Sequence, residues 1–263
     1  MGRAEQLTFD RAMTHGVDVS PDGTRLVVSS ERSGNPELWV LPSEGGEMLQ
    51  LTTEPTPDWF PRWSPDGQQV AFYSYRSGNR DLRVVPSRGG AARQLTTYEG
   101  TDRYPTWAPN GTEIFFESFR LGIGDIWVVS LDTGEQWPLV QSAALDILPV
   151  PSPDGQWVVF RSNRSEQNEV WRVPADGGEA EQLTTTGGHQ PRWSKDGREV
   201  FFWRDGQFWA STLADRSERL LTNFLGKTGG GGGGAFSSNG GFLYFDWTDD
   251  QGDIWIMDVA MEE

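Results

Sequence analysis

One short turn recurs along this chain at intervals of 42 to 44 residues. It reads Ser20-Pro21-Asp22-Gly23, Ser64-Pro65-Asp66-Gly67, Ala108-Pro109-Asn110-Gly111, Ser152-Pro153-Asp154-Gly155, Ser194-Lys195-Asp196-Gly197 and Ser237-Ser238-Asn239-Gly240. Proline presets φ at the second position, Asp or Asn tolerates the next corner, and glycine supplies a positive φ, so each motif predicts a tight β-turn. An apolar run follows every turn: Leu26-Val27-Val28, Val70-Ala71-Phe72, Ile114-Phe115-Phe116, Val158-Val159-Phe160, Val200-Phe201-Phe202 and Leu243-Tyr244-Phe245. About ten residues on comes a second run opened by a polar residue, as in Glu37-Leu38-Trp39 and Asp125-Ile126-Trp127. A third ends in Leu-Thr (Gln94-Leu95-Thr96, Gln182-Leu183-Thr184), and a fourth precedes the next turn (Pro61-Arg62-Trp63, Pro191-Arg192-Trp193). Each of these runs reads as a strand.

Four strands in a repeat of about 43 residues make a propeller blade, and six such units use up nearly all of the 263 residues. The expected fold is therefore all-β: a single six-bladed β-propeller with four antiparallel strands per blade. Blades begin near residues 14, 58, 102, 146, 187 and 231. The last repeat stops after Asp253-Ile254-Trp255-Ile256-Met257-Asp258, short of its Leu-Thr strand, whereas the chain opens with Glu5-Gln6-Leu7-Thr8 and no blade before it. Residues 4–9 are thus expected to complete blade six, closing the ring and hiding its edges.

Composition narrows the partners. A net charge of −16 lacks the basic footprint of a nucleic-acid binder and disfavours anionic membranes. It favours solubility, a monomer and, by complementarity, a basic partner. The absence of cysteine removes disulfides, thiolate catalysis and Cys-ligated zinc, and leaves the compartment open between exported, with its leader absent, and cytoplasmic. No apolar stretch reaches the roughly 18 residues of a membrane span.

The pattern of Ser-x-Arg, a Gly/Asn hairpin, Asp-Ile-Trp, Gln-Leu-Thr and Pro-x-Trp-Ser-Pro-Asp-Gly resembles the TolB-like, or PD40, six-bladed propellers over essentially the full chain. That resemblance implies the fold. For function it implies several roles, because such propellers serve as partner-binding modules, as gating domains attached to peptidases and, in some relatives, as polysaccharide lyases with a His-rich manganese site.

Candidate site residues follow from alignment on the turns. Six positions before each turn stand Thr14, Asp58, Asp102, Asp146, Gly188 and Gly231, and one position later His15, Trp59, Arg103, Ile147, His189 and Gly232. In a propeller this segment lies on one rim of the central channel. Asp58, Asp102 and Asp146 would then form an acidic arc able to hold calcium, since oxygen ligands suit that ion, or each would cap its own loop or pair with a nearby arginine. His15 and His189 share one repeat position but, even with Gln190, fall short of the manganese cluster that the resemblance brings to mind. Trp59, Phe60, Arg62, Arg103 and Tyr104, with His15, His189 and Arg192, form the candidate binding rim for a peptide or a sugar, or else pack between blades.

The recurring Ser30-x-Arg32, Ser74-x-Arg76, Ser118-x-Arg120 and Ser162-x-Arg164 offer either an anion-binding crown or structural pairs with the acids Glu37, Asp81, Asp125 and Glu169. Eight tryptophans fall on repeat positions and are expected in the core: Trp39, Trp63, Trp107, Trp127, Trp171, Trp193, Trp209 and Trp255. Gly229 to Gly234 occupy an enlarged blade-to-blade loop rather than a phosphate loop, because Lys227 precedes them and a strand follows; the expected consequence is high mobility. The expected function is a binding module for a protein or peptide, without catalytic residues or a required cofactor. The alternatives are a carbohydrate-binding or lyase-like protein using the channel, and a propeller belonging to a larger sensor or peptidase.

Overall fold

In a computed structural model, residues 4–9, 12–222, 224, 230–238, 241–248 and 253–258 are described. They form strands and turns, with no helix among them. The strands pair into four-stranded antiparallel sheets, and the innermost strands are Thr14–Val19, Asp58–Trp63, Asp102–Trp107, Asp146–Pro151, His189–Trp193 and Gly230–Ser238. Neighbouring innermost strands touch, and Thr14–Val19 lies against both Asp58–Trp63 and Gly230–Ser238, so the ring of six blades is closed around a channel.

The turns form as their sequences demand. In the first, the Gly23 N–H donates to the Ser20 carbonyl (2.8 Å) at a glycine φ of 74°. The Ser20 hydroxyl donates to Asp22 (2.6 Å) and accepts from the Arg25 N–H (3.0 Å). The same bonds recur around Ser64, Ser152 and Ser194. Beyond each turn the second strand is buried on both faces, since each blade is covered by its two neighbours. Phe72, Phe116, Phe160, Phe202 and Phe245 occupy one repeat position and are all at most 1% exposed. The core consists of these blade-to-blade seams; in one, Val27, Leu38, Val40 and Leu51 of blade one meet Trp63, Val70, Phe72 and Val85 of blade two.

A repeated polar bond ties the outer strand to the third. The Leu-Thr hydroxyl donates to the residue opening the third strand: Thr52 to Glu37 (2.5 Å), Thr96 to Asp81 (3.2 Å), Thr184 to Glu169 (2.5 Å) and Thr222 to Gln207 (2.9 Å). These acids are therefore not the partners of the Ser-x-Arg arginines. Arg76, Arg120 and Arg164 reach instead to the innermost strand, pairing with Asp58 (2.5 Å), Asp102 (2.9 Å) and Asp146 (2.8 Å). The guanidiniums of Arg120 and Arg164 also cover the third-strand tryptophans, Arg120 4.2 Å from the Trp127 ring and Arg164 4.9 Å from Trp171. Those tryptophans, with Trp39 and Trp209, are consequently half-buried under arginine rather than deep in the core, whereas Trp63, Trp107 and Trp193 are buried.

Ring closure reuses the same polar bond. Ala4–Gln6 pairs antiparallel with Asp253–Asp258 as the outer strand of blade six. Thr8 donates to Asp253 (3.1 Å) and accepts from the Ile254 N–H (3.0 Å), while Gln6 donates to Asp253 (2.8 Å). In the glycine run, Gly230 to Gly234 belong to the innermost strand of blade six, whereas Lys227, Thr228 and Gly229 lie outside the described residues. Deleting Met1 to Phe9 is expected to lower the melting temperature by several degrees. Thr8→Val alone, which orphans buried partners at roughly 1–3 kcal/mol, should lower it by about 2–6 °C in a thermal melt followed by circular dichroism.

Candidate functional site

The innermost strands of blades one to five slip register at one repeat position, two residues beyond the start rim. There Gly16, Phe60, Tyr104, Leu148 and Gln190 take positive φ of 72°, 51°, 52°, 57° and 52°. Left-handed backbone at a bulky residue costs roughly 1–3 kcal/mol, which the surrounding ladders hold in place. Bulges re-aim side chains, and here they turn Phe60, Tyr104, Leu148 and Gln190 together onto a constriction with only about 10 Å³ left open. Phe60 meets Tyr104 edge-on with centroids 4.6 Å apart, and both contact Tyr73 (5.9 and 5.8 Å). A side chain at Gly16 would come within 3.1 Å of the Phe60 ring, so blade one leaves that ring its space.

Above the constriction lies the mouth formed by the strand starts. His15 Nε2 lies 2.9 Å from Glu31, and its ring stands edge-on to Trp59 at 4.6 Å. Arg103 donates to the fully buried Glu117 and lies over Tyr104 (5.1 Å) and Phe119 (5.0 Å). Burial pushes the Glu117 carboxyl up, opposed by the Arg103 charge. Arg80 donates to the Tyr75 hydroxyl and lies over its ring. Arg161 stands close enough to Glu117, Tyr104 and Arg103 for their charges to act on it, and its buried Nε finds no acceptor among the described residues. Burial lowers the Arg161 pKa first, and burial followed by the Arg161 charge lowers that of His189.

The predicted rim is thus partly assembled. His15 with Trp59, and Phe60 with Arg103 and Tyr104, come together; His189 stands apart from His15, beside Arg161. Arg62 and Arg192 lie not on the rim but deeper, lining the channel below the aromatic constriction. Asp58, Asp102 and Asp146 are fully buried, and each is held by its own blade's arginine instead of opening onto a shared arc. Among the described residues, no three His, Cys, Asp or Glu side chains are grouped so as to hold a metal. Tyr73, Glu117 and Arg161 were missed because they stand on the second strand. They share one repeat position with Ser29 and Trp203, so the same alignment carried nine residues past each turn start would have found them. The mouth sets Arg80, Arg103 and Arg161 against Glu31 and Glu117, and Asp246 of blade six shares the second-strand position of Glu117 and Arg161.

The opposite mouth, framed by the turns, holds a recess of about 450 Å³. Its walls include Ser20, Pro151, Pro153, Trp193, Lys195 and Ser237, with Arg192 also in its lining.

This arrangement defines a six-bladed β-propeller with two unlike mouths. The family model for the TolB beta propeller domain (PD40) matches residues 2–119 and 97–262, so the chain belongs to that family. A protein assigned as TolB from Agrobacterium tumefaciens is 22% identical, with a TM-score of 0.76 over 95% of this chain and 91% of that one. An oligogalacturonate lyase from Vibrio parahaemolyticus is 15% identical, with a TM-score of 0.66 over 97% of this chain and 93% of that one. At such identities the likeness is one of fold. Tricorn protease homolog 1 of Streptomyces coelicolor is 41% identical over 51 residues, 19% of this chain and only 5% of that protein's length.

Arg103→Ala would leave Glu117 buried without its cation and should cost about 3 kcal/mol at pH 8. Because burial raises the Glu117 pKa in the folded state, the folded protein holds its proton to higher pH than the unfolded chain. Stability of this variant should therefore fall as pH rises from 5 to 8. Thermal melts across that range check it, and adding Glu117→Gln should flatten the dependence.

Proposed function

We propose that this propeller is a non-enzymatic binding module, and that the mouth at the strand starts takes an acidic segment of a protein partner. The observation that carries the reading is Arg161: a guanidinium with a buried donor left open, set among half-buried aromatic rings and beside a second arginine. Arginine with tyrosine and tryptophan is the composition of interface anchors, and guanidinium groups bind carboxylates through paired hydrogen bonds. The gap beneath is narrow on the side of blades two to five, so a segment seated here would rest on Phe60 and Tyr104.

Selection of peptides from a random library on the immobilised protein should enrich Asp and Glu beside an apolar residue. Arg161→Ala and Tyr104→Ala should each weaken a selected peptide by about tenfold or more, and binding should fall with added salt. A glycan array run in parallel tests the carbohydrate reading, which the aromatic and guanidinium groups also suit; glycan binding with no peptide enrichment overturns the proposal.

A further inference from the structure

Below the constriction, two positions past each bulge, blades one to five carry Asp18, Arg62, Thr106, Val150 and Arg192. Blades two and five face each other across a six-membered ring, so Arg62 and Arg192 come from opposite walls onto one channel. Both are pinned by backbone carbonyls. Arg62 Nη1 donates to Val17 O (3.2 Å) and Pro61 O (3.0 Å); Arg192 donates through Nε to Phe236 O (3.0 Å) and through Nη1 to Pro191 O (2.8 Å). Neither reaches a carboxylate within ion-pair distance among the described residues. Asp18, the acid whose charge acts on both, already accepts from the Trp63 N–H (2.8 Å) and the Ser237 hydroxyl (2.8 Å). Two fixed guanidiniums against one carboxylate leave a positive charge inside the channel. Burial pushes both arginine pKa values down, Arg192's further through the charge of Arg62, and the Asp18 charge opposes this in both. An uncompensated buried charge of this kind is stabilised by an anion.

Among the described residues, a roomy route reaches this charge from the turn mouth. Arg192 lines the narrow gap under Phe60 and Tyr104 and also the recess of about 450 Å³ at the turn mouth. That volume is typical of a small-ligand site. The recess wall offers few other donors. The hydroxyls of Ser20, Ser194 and Ser237 already donate to Asp22, Asp196 and Asp18. Pro151, Pro153 and Trp193 supply apolar wall, Lys195 adds an ammonium at the lip, and the Asp22 carboxylate, bonded through Oδ1 to Ser20 and Thr24, faces the recess and offsets the Lys195 charge.

We infer that the turn-mouth recess is a carboxylate-binding site, in which Arg192, with Arg62 behind it, receives a monoanionic carboxylate carried on a short apolar stem. A single negative charge matches the excess left by Arg62, Arg192 and Asp18, which a phosphate dianion would overshoot. The site is independent of the peptide reading above, because it opens on the other face and uses none of the same side chains.

The test is calorimetric titration of the full chain with acetate, with trialanine as the free acid, with trialanine amide and with inorganic phosphate. The free acid should bind about tenfold or more tightly than its amide, as loss of a charge-assisted hydrogen bond implies, and should outcompete phosphate. Binding of acetate in place of trialanine would assign the site to free small acids; tighter binding of trialanine would assign it to a chain terminus. Arg192→Gln should weaken either ligand by about tenfold or more, with circular dichroism confirming the fold, while Arg161→Ala should leave it unchanged. Equal binding of acid and amide, phosphate binding as tightly as the acid, or no heat from any carboxylate overturns the inference. The acid–amide comparison uses the unaltered protein, so it decides the matter even where Arg192→Gln does not fold.

Discussion

The hydroxyl of an outer-strand threonine, donated to the polar residue that opens the third strand, fastens blades one, two, four and five, and through Thr8 it fastens the two ends of the chain together. No blade can stand by itself, because its second strand is buried on both faces by neighbours. The sheets therefore gain their apolar burial only when the circle is complete, and completion requires an outer strand for blade six. Thr8 supplies it by making to Asp253 the bond that Thr52 makes to Glu37 and Thr184 to Glu169. Closure is thus the ordinary blade contact made between the two ends of the chain, and removal of the edge follows from it.

A second repeated device separates scaffold from surface. The Ser-x-Arg arginine pairs with an innermost-strand aspartate in blades two, three and four, and in blades three and four it also covers a tryptophan. One side chain thereby spans the blade from its inner to its third strand. Asp58, Asp102 and Asp146 are absorbed by this arrangement, and burial raises the carboxyl pKa of Asp58 and Asp102 against the pull of Arg76 and Arg120. What breaks the repeat is what the proposed readings draw on: His15, Trp59, Arg103 and Arg161 at one mouth, Arg62 and Arg192 within.

Charge is distributed unevenly in consequence. A chain of net charge −16 lines its channel with Arg62, Arg103, Arg161 and Arg192 against Asp18 and Glu117. A narrow bore with low-dielectric walls focuses the field of the groups that line it. Net charge summed over the whole sequence argues for a basic partner, whereas the proposed readings rest on the arginines near the axis.

The blade number, the four strands, the turn geometry and the closure by residues 4–9 were legible in the sequence, because each rests on local chemistry repeated six times: proline and glycine at a turn, alternation in a strand, and a threonine at a fixed distance. Three matters were decided only by tertiary structure. The arginines pair with the innermost-strand aspartates rather than the third-strand acids; threonine hydroxyls hold Asp81 and Glu169, while in blade three, where Val140 replaces the threonine, Asp125 accepts from the Ser142 N–H. The bulge at Phe60 and Tyr104 narrowed the channel on the side of blades two to five, which no local propensity signals, since bulky residues avoid positive φ until neighbouring ladders impose it. Arg62 and Arg192, separated by 130 positions, met across the axis because blades two and five are opposite only in a closed ring of six.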